Sequence, residues 1–134
     1  MLDNSDIVRQ PWYDFINCGP CCVATVLNDQ RAARTSYSKV RNSGNKSKAF
    51  WNINDIRQVL HNNRRHTVPV DFTKEIPYKK CFALTRLFGI FGHWVLVWRL
   101  NDHTVEVFDP YKGVYQIDDH RFLSKLKMRT GTSV

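Results

Sequence analysis

Three of the four cysteines crowd into the run Asn17-Cys18-Gly19-Pro20-Cys21-Cys22, while Cys81 stands alone. Much further on, a histidine follows a glycine at Gly92-His93, and an aspartate precedes a proline at Asp109-Pro110. These are the side chains whose types and spacing can do chemistry, and three chemistries compete for the cluster. Cys18-Gly19-Pro20-Cys21 has the letters of a thioredoxin-like thiol–disulfide motif, in which a helix N-terminus activates one thiol and the second resolves the mixed disulfide. Such a motif belongs at the end of a buried strand, whereas here it follows Tyr13-Asp14-Phe15-Ile16-Asn17, with little chain before it. A structural zinc needs four Cys, His or carboxylate ligands, usually as two pairs. Cys18 and Cys21 make one pair, but the nearest second pair, His61 and His66, flanks a turn of basic residues, so no metal is expected.

The third chemistry uses Cys18 alone, as a nucleophile. The N-terminus of a helix presents unpaired N–H groups and the positive end of its dipole, which favour a thiolate. Such a thiol next requires a histidine to share its proton and a third group to orient that histidine. His93 opens the apolar run Trp94-Val95-Leu96-Val97, and Asp109 closes the following run Val105-Glu106-Val107-Phe108. In an antiparallel hairpin the start of one strand lies beside the end of the next. His93 and Asp109 are therefore predicted neighbours. Taken singly, His93 reads as a structural histidine and Asp109-Pro110 as a strand-ending turn; their order and spacing together make the stronger case.

Those side chains need elements to position them. Gly19–Asn28 reads as a buried helix, with Pro20 in the first turn, where a missing N–H costs nothing, and Cys22, Val23, Val26 and Leu27 on one stripe. Residues 29–50, rich in Arg, Lys, Ser and Asn, read as a long surface loop. A second helix is expected over Ile53–His61, capped by Asn52, with Ile53, Ile56, Val59 and Leu60 inward. Strands are expected over His66–Val70, Cys81–Phe88, His93–Leu100, Thr104–Phe108 and Val114–Ile117. Asn101-Asp102-His103 makes a short hairpin turn between the third and fourth. A last helix, capped by Asp118, is expected to turn Phe122, Leu123 and Leu126 inward. Helices first and antiparallel strands afterwards define an α+β domain, expected to span residues 1–134 as one unit.

Together, NCGPCCVATVLN, GHWVLVWRL and VEVFDP resemble the papain-like cysteine peptidases that process bacteriocin precursors after a double glycine. The resemblance runs from Gln10 to the last helix, and it implies the papain-like fold, with N-terminal helices packed on an antiparallel sheet. It implies a nucleophile at Cys18, a general base at His93 and an orienting carboxylate at Asp109. It also implies an oxyanion donor at Gln10, the glutamine upstream of the cysteine, acting with the backbone N–H of Cys18. A peptide or related amide substrate follows, with no cofactor.

Composition bounds the alternatives. In 134 residues, 43% are hydrophobic and 24% charged, an ordinary globular balance. No apolar run approaches the roughly 20 residues needed to span a bilayer, and MLDNSDIVRQ lacks the apolar core of a signal peptide, so a cytoplasmic location without a membrane span is expected. Cys21, Cys22 and Cys81 read as core fillers. His61, His66, His103 and His120 read as surface residues. The net charge of +8 is scattered along the chain without aromatic interleaving, which argues against nucleic acid and leaves an anionic partner open. The competing function is a catalytically silent binding or assembly protein on the same fold, encoded by a phage or mobile element. A thioredoxin-like oxidoreductase comes third.

Overall fold

A computed structural model describes residues 18–27, 51–87 and 91–134. Its first helix, α1, is Cys18–Leu27, and every residue from Cys18 to Thr25 is buried. A helix apolar on all sides can only be a core helix. The second helix, α2, is Ile53–Asn62. Asn52 starts it through a reciprocal capping box: the Asp55 N–H donates to Asn52 Oδ1 at 2.9 Å, and the Asn52 N–H donates to Asp55 Oδ2 at 2.8 Å. Ile56, Val59 and Leu60 form its inward stripe.

Strands β1 (Val68–Asp71), β2 (Cys81–Leu87), β3 (Phe91–Arg99), β4 (Thr104–Asp109) and β5 (Gly113–Asp118) follow, then helix α3 (Asp119–Leu123) and strand β6 (Thr130–Ser133). They form one sheet in the order β1-β6-β2-β3-β4-β5, every neighbouring pair antiparallel. Side chains alternate between its faces. Phe82, Trp94, Leu96, Trp98 and Phe108 pack under α1 and α2. Cys81, Ala83, Val95, Val97, Val105 and Val107 face the other way, against Phe72, Ile76, Phe122 and Leu126. Among the described residues, no helix is long and apolar enough to cross a membrane.

The C-terminal end corrects the expectation. Its helix stops at Leu123, and Leu126 is buried not on a helix face but as a lone bridge opposite Thr85. Beyond it β6 inserts between β1 and β2, a strand the patterning did not announce. Gly131 permits that insertion, because a Cβ there would strike the Phe82 carbonyl oxygen and the Phe72 ring. The first strand also shifts, to Val68–Asp71, leaving His66 outside it and exposed. The expected loop over residues 29–50 and the lead-in containing Gln10 lie outside the described residues.

Candidate active site

The first residue of α1 is Cys18, only 4% exposed. Its sulfur accepts a hydrogen bond from the Trp94 backbone N–H at 3.3 Å. One turn along the same helix face, the Cys22 thiol donates to the Trp94 carbonyl oxygen at 3.4 Å. Both backbone groups of Trp94 are thus engaged by α1 cysteines, much as a neighbouring strand would engage them. Burial first, then the nearby Cys18, Cys21 and Asp109, push the Cys22 thiol well above its usual range, so it remains a neutral donor. The Trp94 indole N–H donates to the Trp51 carbonyl at 2.8 Å, fixing the same residue from a third side. Gly19 lets the helix start lie against both tryptophans: a Cβ there would already press on Trp51 Cβ at 3.3 Å and Trp94 Cδ1 at 3.4 Å.

The β3–β4 ladder pairs Leu96 with Phe108 and then ends. Continued by one step, it would set Asp109 opposite Val95, with His93 as the diagonal neighbour on the same face. Their side chains close that diagonal: His93 Nε2 lies 2.8 Å from Asp109 Oδ1, with both residues buried. The same oxygen accepts the N–H groups of Tyr111 at 2.8 Å and Lys112 at 3.3 Å. Asp109 therefore ends the strand and holds the histidine, both at once. The Thr85 hydroxyl donates to the His93 carbonyl at 2.9 Å, and the Tyr111 ring stacks on the imidazole at 5.6 Å, tilted by 18°.

With Nε2 committed to Asp109, Nδ1 is left on the other side of the ring, buried and without a hydrogen bond among the described residues. Burial alone would lower the His93 pKa. The Asp109 hydrogen bond, then Cys18, then the charges of both outweigh burial and raise it to about 9. Burial would conversely raise the Asp109 carboxyl, but the His93 hydrogen bond and charge and the two turn N–H groups hold it below its usual range. The structure thus brings His93 and Asp109 together, as their hairpin spacing predicts, and ties Cys18 to the residue next to His93 through the Trp94 N–H. It buries Cys21, Cys22 and Cys81, none of them in a disulfide among the described residues, and leaves His61, His66, His103 and His120 exposed. Burial pushes the Cys81 thiol up to about 12, against a small opposing effect of Lys79.

Gln10 lies outside the described residues. Trp94, Tyr111 and Thr85 are the supporting residues that the sequence reading missed. The only signals for two of them were adjacency, Trp94 to His93 and Tyr111 to the Asp109-Pro110 turn. The thioredoxin-like alternative loses its setting, since Cys18 and Cys21 open a helix beside a wholly antiparallel sheet rather than a βαβ unit.

A cysteine opening a buried helix, packed on an antiparallel sheet that carries a histidine–carboxylate pair, is the architecture of the papain-like cysteine peptidases. Residues 13–128 match the Peptidase C39 family, and the chain belongs to that family: it is a cysteine peptidase. Its fold is similar to the peptidase domain of Streptococcus ComA, a bifunctional ABC transporter of a quorum-sensing pathway, with a TM-score of 0.73 at 16% identity over 94% of each chain. A double-glycine motif protease from an AMS/PCAT transporter, solved with its leader peptide, gives 0.70 at 16% identity over 95% of this chain and 89% of that one. The peptidase domain of Streptococcus mutans ComA gives 0.67, again at 16% identity, over 95% and 96%. No curated protein sequence matches the chain.

Proposed function

We propose that the chain hydrolyses a peptide bond through Cys18, His93 and Asp109, by way of a thioester on Cys18. The observation that carries this reading is the His93–Asp109 pair at 2.8 Å, which leaves Nδ1 unbonded beside the cysteine that opens α1. A histidine pKa of about 9 keeps an imidazolium at neutral pH, so a proton is in place for a leaving amine. The Trp94 N–H steadies negative charge on the sulfur. The thiolate attacks the carbonyl carbon, and the oxyanion is held by the Cys18 N–H and the Gln10 amide. His93 Nδ1 protonates the departing amine as the C–N bond breaks, leaving the thioester. Nδ1 then takes a proton from water, which attacks the thioester, and the C–S bond breaks to release the carboxylic acid. Asp109 holds Nε2–H throughout and fixes which nitrogen faces the reaction. A peptide substrate is in keeping with the leader peptide bound to the structurally similar transporter protease.

Native protein treated with a limiting amount of iodoacetamide near neutral pH should be alkylated first at Cys18, read by mass spectrometry. His93→Ala should slow that alkylation strongly. Unchanged thiol reactivity in the variant would point instead to a silent binding protein on the same scaffold. A reducible Cys18–Cys21 bond, with both thiols labelling equally, would restore the redox reading.

A further inference from the structure

Charge is unevenly distributed between the two ends of the sheet, and the uneven end is the one that carries the candidate site. Arg86 is the register partner of Gly92, and Thr85 that of His93, so Arg86 stands one residue beyond the histidine's own neighbour. The chain after α3 returns to this edge: the Arg86 N–H donates to the Lys125 carbonyl at 3.0 Å, and the Lys127 N–H donates to the Leu84 carbonyl at 2.8 Å. From that position the Lys125 ammonium reaches across to the Tyr115 ring of β5, 5.7 Å from its centroid. Tyr115 senses Asp109 directly: burial first, then the aspartate's charge, raise its hydroxyl above the ordinary range. Lys112 stands on the turn whose N–H groups bind Asp109 Oδ1. Arg86, Lys112 and Lys125 are all exposed, and none forms an ion pair among the described residues.

Among the described residues, carboxylates are scarce beside them. Asp109 is buried and bound to His93. Asp71, on β1, is separated from β2 by β6, and it accepts from the Thr73 N–H and hydroxyl. The exposed or partly exposed acids Asp102, Asp118 and Asp119 gather at the opposite end, where Thr104 pairs with Asp118. Unpaired cations around a site, with the acids held away, form a field that attracts negative charge. Among the described residues beside these cations, the aromatic rings are already engaged, Tyr111 stacked on His93 and Tyr115 under Lys125, and so offer no platform for stacking nucleic-acid bases.

We propose that Arg86, Lys112 and Lys125 form a rim that receives acidic side chains of the peptide substrate close to its scissile bond. This rests on the peptidase reading for the position of that bond, but the binding itself does not depend on turnover. Arg86 on β2 and Lys112 on the β4–β5 turn stand two to three strand spacings apart, about 10–14 Å, and an extended peptide advances about 3.3 Å per residue, so three or four residues cover that distance.

Binding can be measured by fluorescence anisotropy on Cys18→Ala protein, which cannot form the thioester. The probes are a fluorescein-labelled twelve-residue peptide with alternating Asp and Glu, its Asn/Gln twin, and a labelled single-stranded RNA of the same length. The acidic peptide should bind about tenfold more tightly than its amide twin, as a few solvated charge pairs allow. The preference should collapse as salt approaches about 0.5 M, where screening shortens to a few ångströms. In the Arg86→Gln/Lys112→Gln/Lys125→Gln background it should vanish, while iodoacetamide still labels Cys18 of the otherwise native triple variant at the native rate. Equal binding of the two peptides, an undiminished preference in the triple variant, or tighter binding of the RNA would each overturn the proposal. Preferential acidic binding together with an unreactive Cys18 would keep the rim and sink the peptidase mechanism.

Discussion

The two ends of the central hairpin are built by opposite strategies. At the Arg99 end the ladder runs until the turn takes over, with Arg99 opposite Val105 and the Leu100 N–H donating to the Thr104 carbonyl. The Arg99 guanidinium then gathers the carbonyls of Ile76, Asn101 and Asp102 and the Asp119 carboxylate, all within 3.3 Å. At the His93 end the ladder stops at Leu96, and residues 93–95 have no β4 partner. Trp94 turns instead to two cysteines, and His93 turns to a carboxylate. One end uses a side chain to seal backbone carbonyls. The other leaves backbone unpaired so that side chains with chemistry can occupy the space. A sheet end becomes a site where pairing is withheld.

The largest effect that tests this contrast is at the unpaired end. His93→Ala removes the proton donor and should lower kcat/KM on a cleavable peptide by about 10⁴-fold or more, as removal of one member of a cooperating set does. Circular dichroism should show the fold retained. A loss below about tenfold would mean that the withheld ladder is not a catalytic feature.

Asp109→Asn comes next, with an expected fall of about 10²- to 10³-fold. The amide oxygen can still accept from Tyr111 and Lys112, so the turn is kept while the charge is lost. Because Asp109 helps raise the His93 pKa to about 9, the alkaline limb of the native rate profile should fall near pH 9 and move to lower pH in the variant. Stability follows the same group. A histidine whose pKa rises from 6.5 to about 9 on folding contributes fully below pH 6.5, and that contribution disappears as pH climbs through about 9. Thermal melts of native protein should therefore decline across that window, and those of His93→Ala should not share that component. A native limb near 6.5 would contradict the charged pairing.

What was legible in the sequence follows the same division. His93 and Asp109 could be placed because hairpin register converts sequence spacing into proximity, Cys18 because a helix start favours a thiolate, and Asn52 because capping chemistry is local. β6 could not, since Thr130-Gly131-Thr132-Ser133 has no apolar alternation and its partners Val68–Asp71 lie some 60 residues away. The residues that support the site were hidden for a related reason. Trp94 acts through its backbone N–H and carbonyl, which any residue there would carry, and Tyr111 acts through a stack that only the folded turn creates. The cysteine cluster was harder still: Cys22 is both the core filler it was read as and a donor to Trp94, a distinction no spacing rule draws.

At the sealed end, Arg99→Ala should cost roughly 2 kcal/mol of folding stability, because it strips charged donors from the partly buried Ile76 carbonyl and Asp119 carboxylate as well as from two exposed turn carbonyls. The rate on a cleavable peptide, measured well below the melting temperature, should change less than twofold. A tenfold loss there would show that the two ends are coupled through the hairpin, contrary to the division drawn above.

Tyr111→Ala is the smallest and most discriminating change. An aromatic stack of this kind contributes about 1 kcal/mol beyond its buried area, so the melting temperature should move by only a few degrees. The ring, however, lies nearly parallel to an imidazole that, among the described residues, one carboxylate oxygen and its own backbone also hold. Without it His93 should sample more orientations, and kcat should fall several-fold with KM little altered. Tyr111→Phe keeps the stack and should restore the rate. A Phe variant as slow as the Ala variant would assign the effect to the hydroxyl and leave the stacked ring without a positioning role, whereas an Ala variant as fast as native would show that Asp109 alone suffices to orient the histidine.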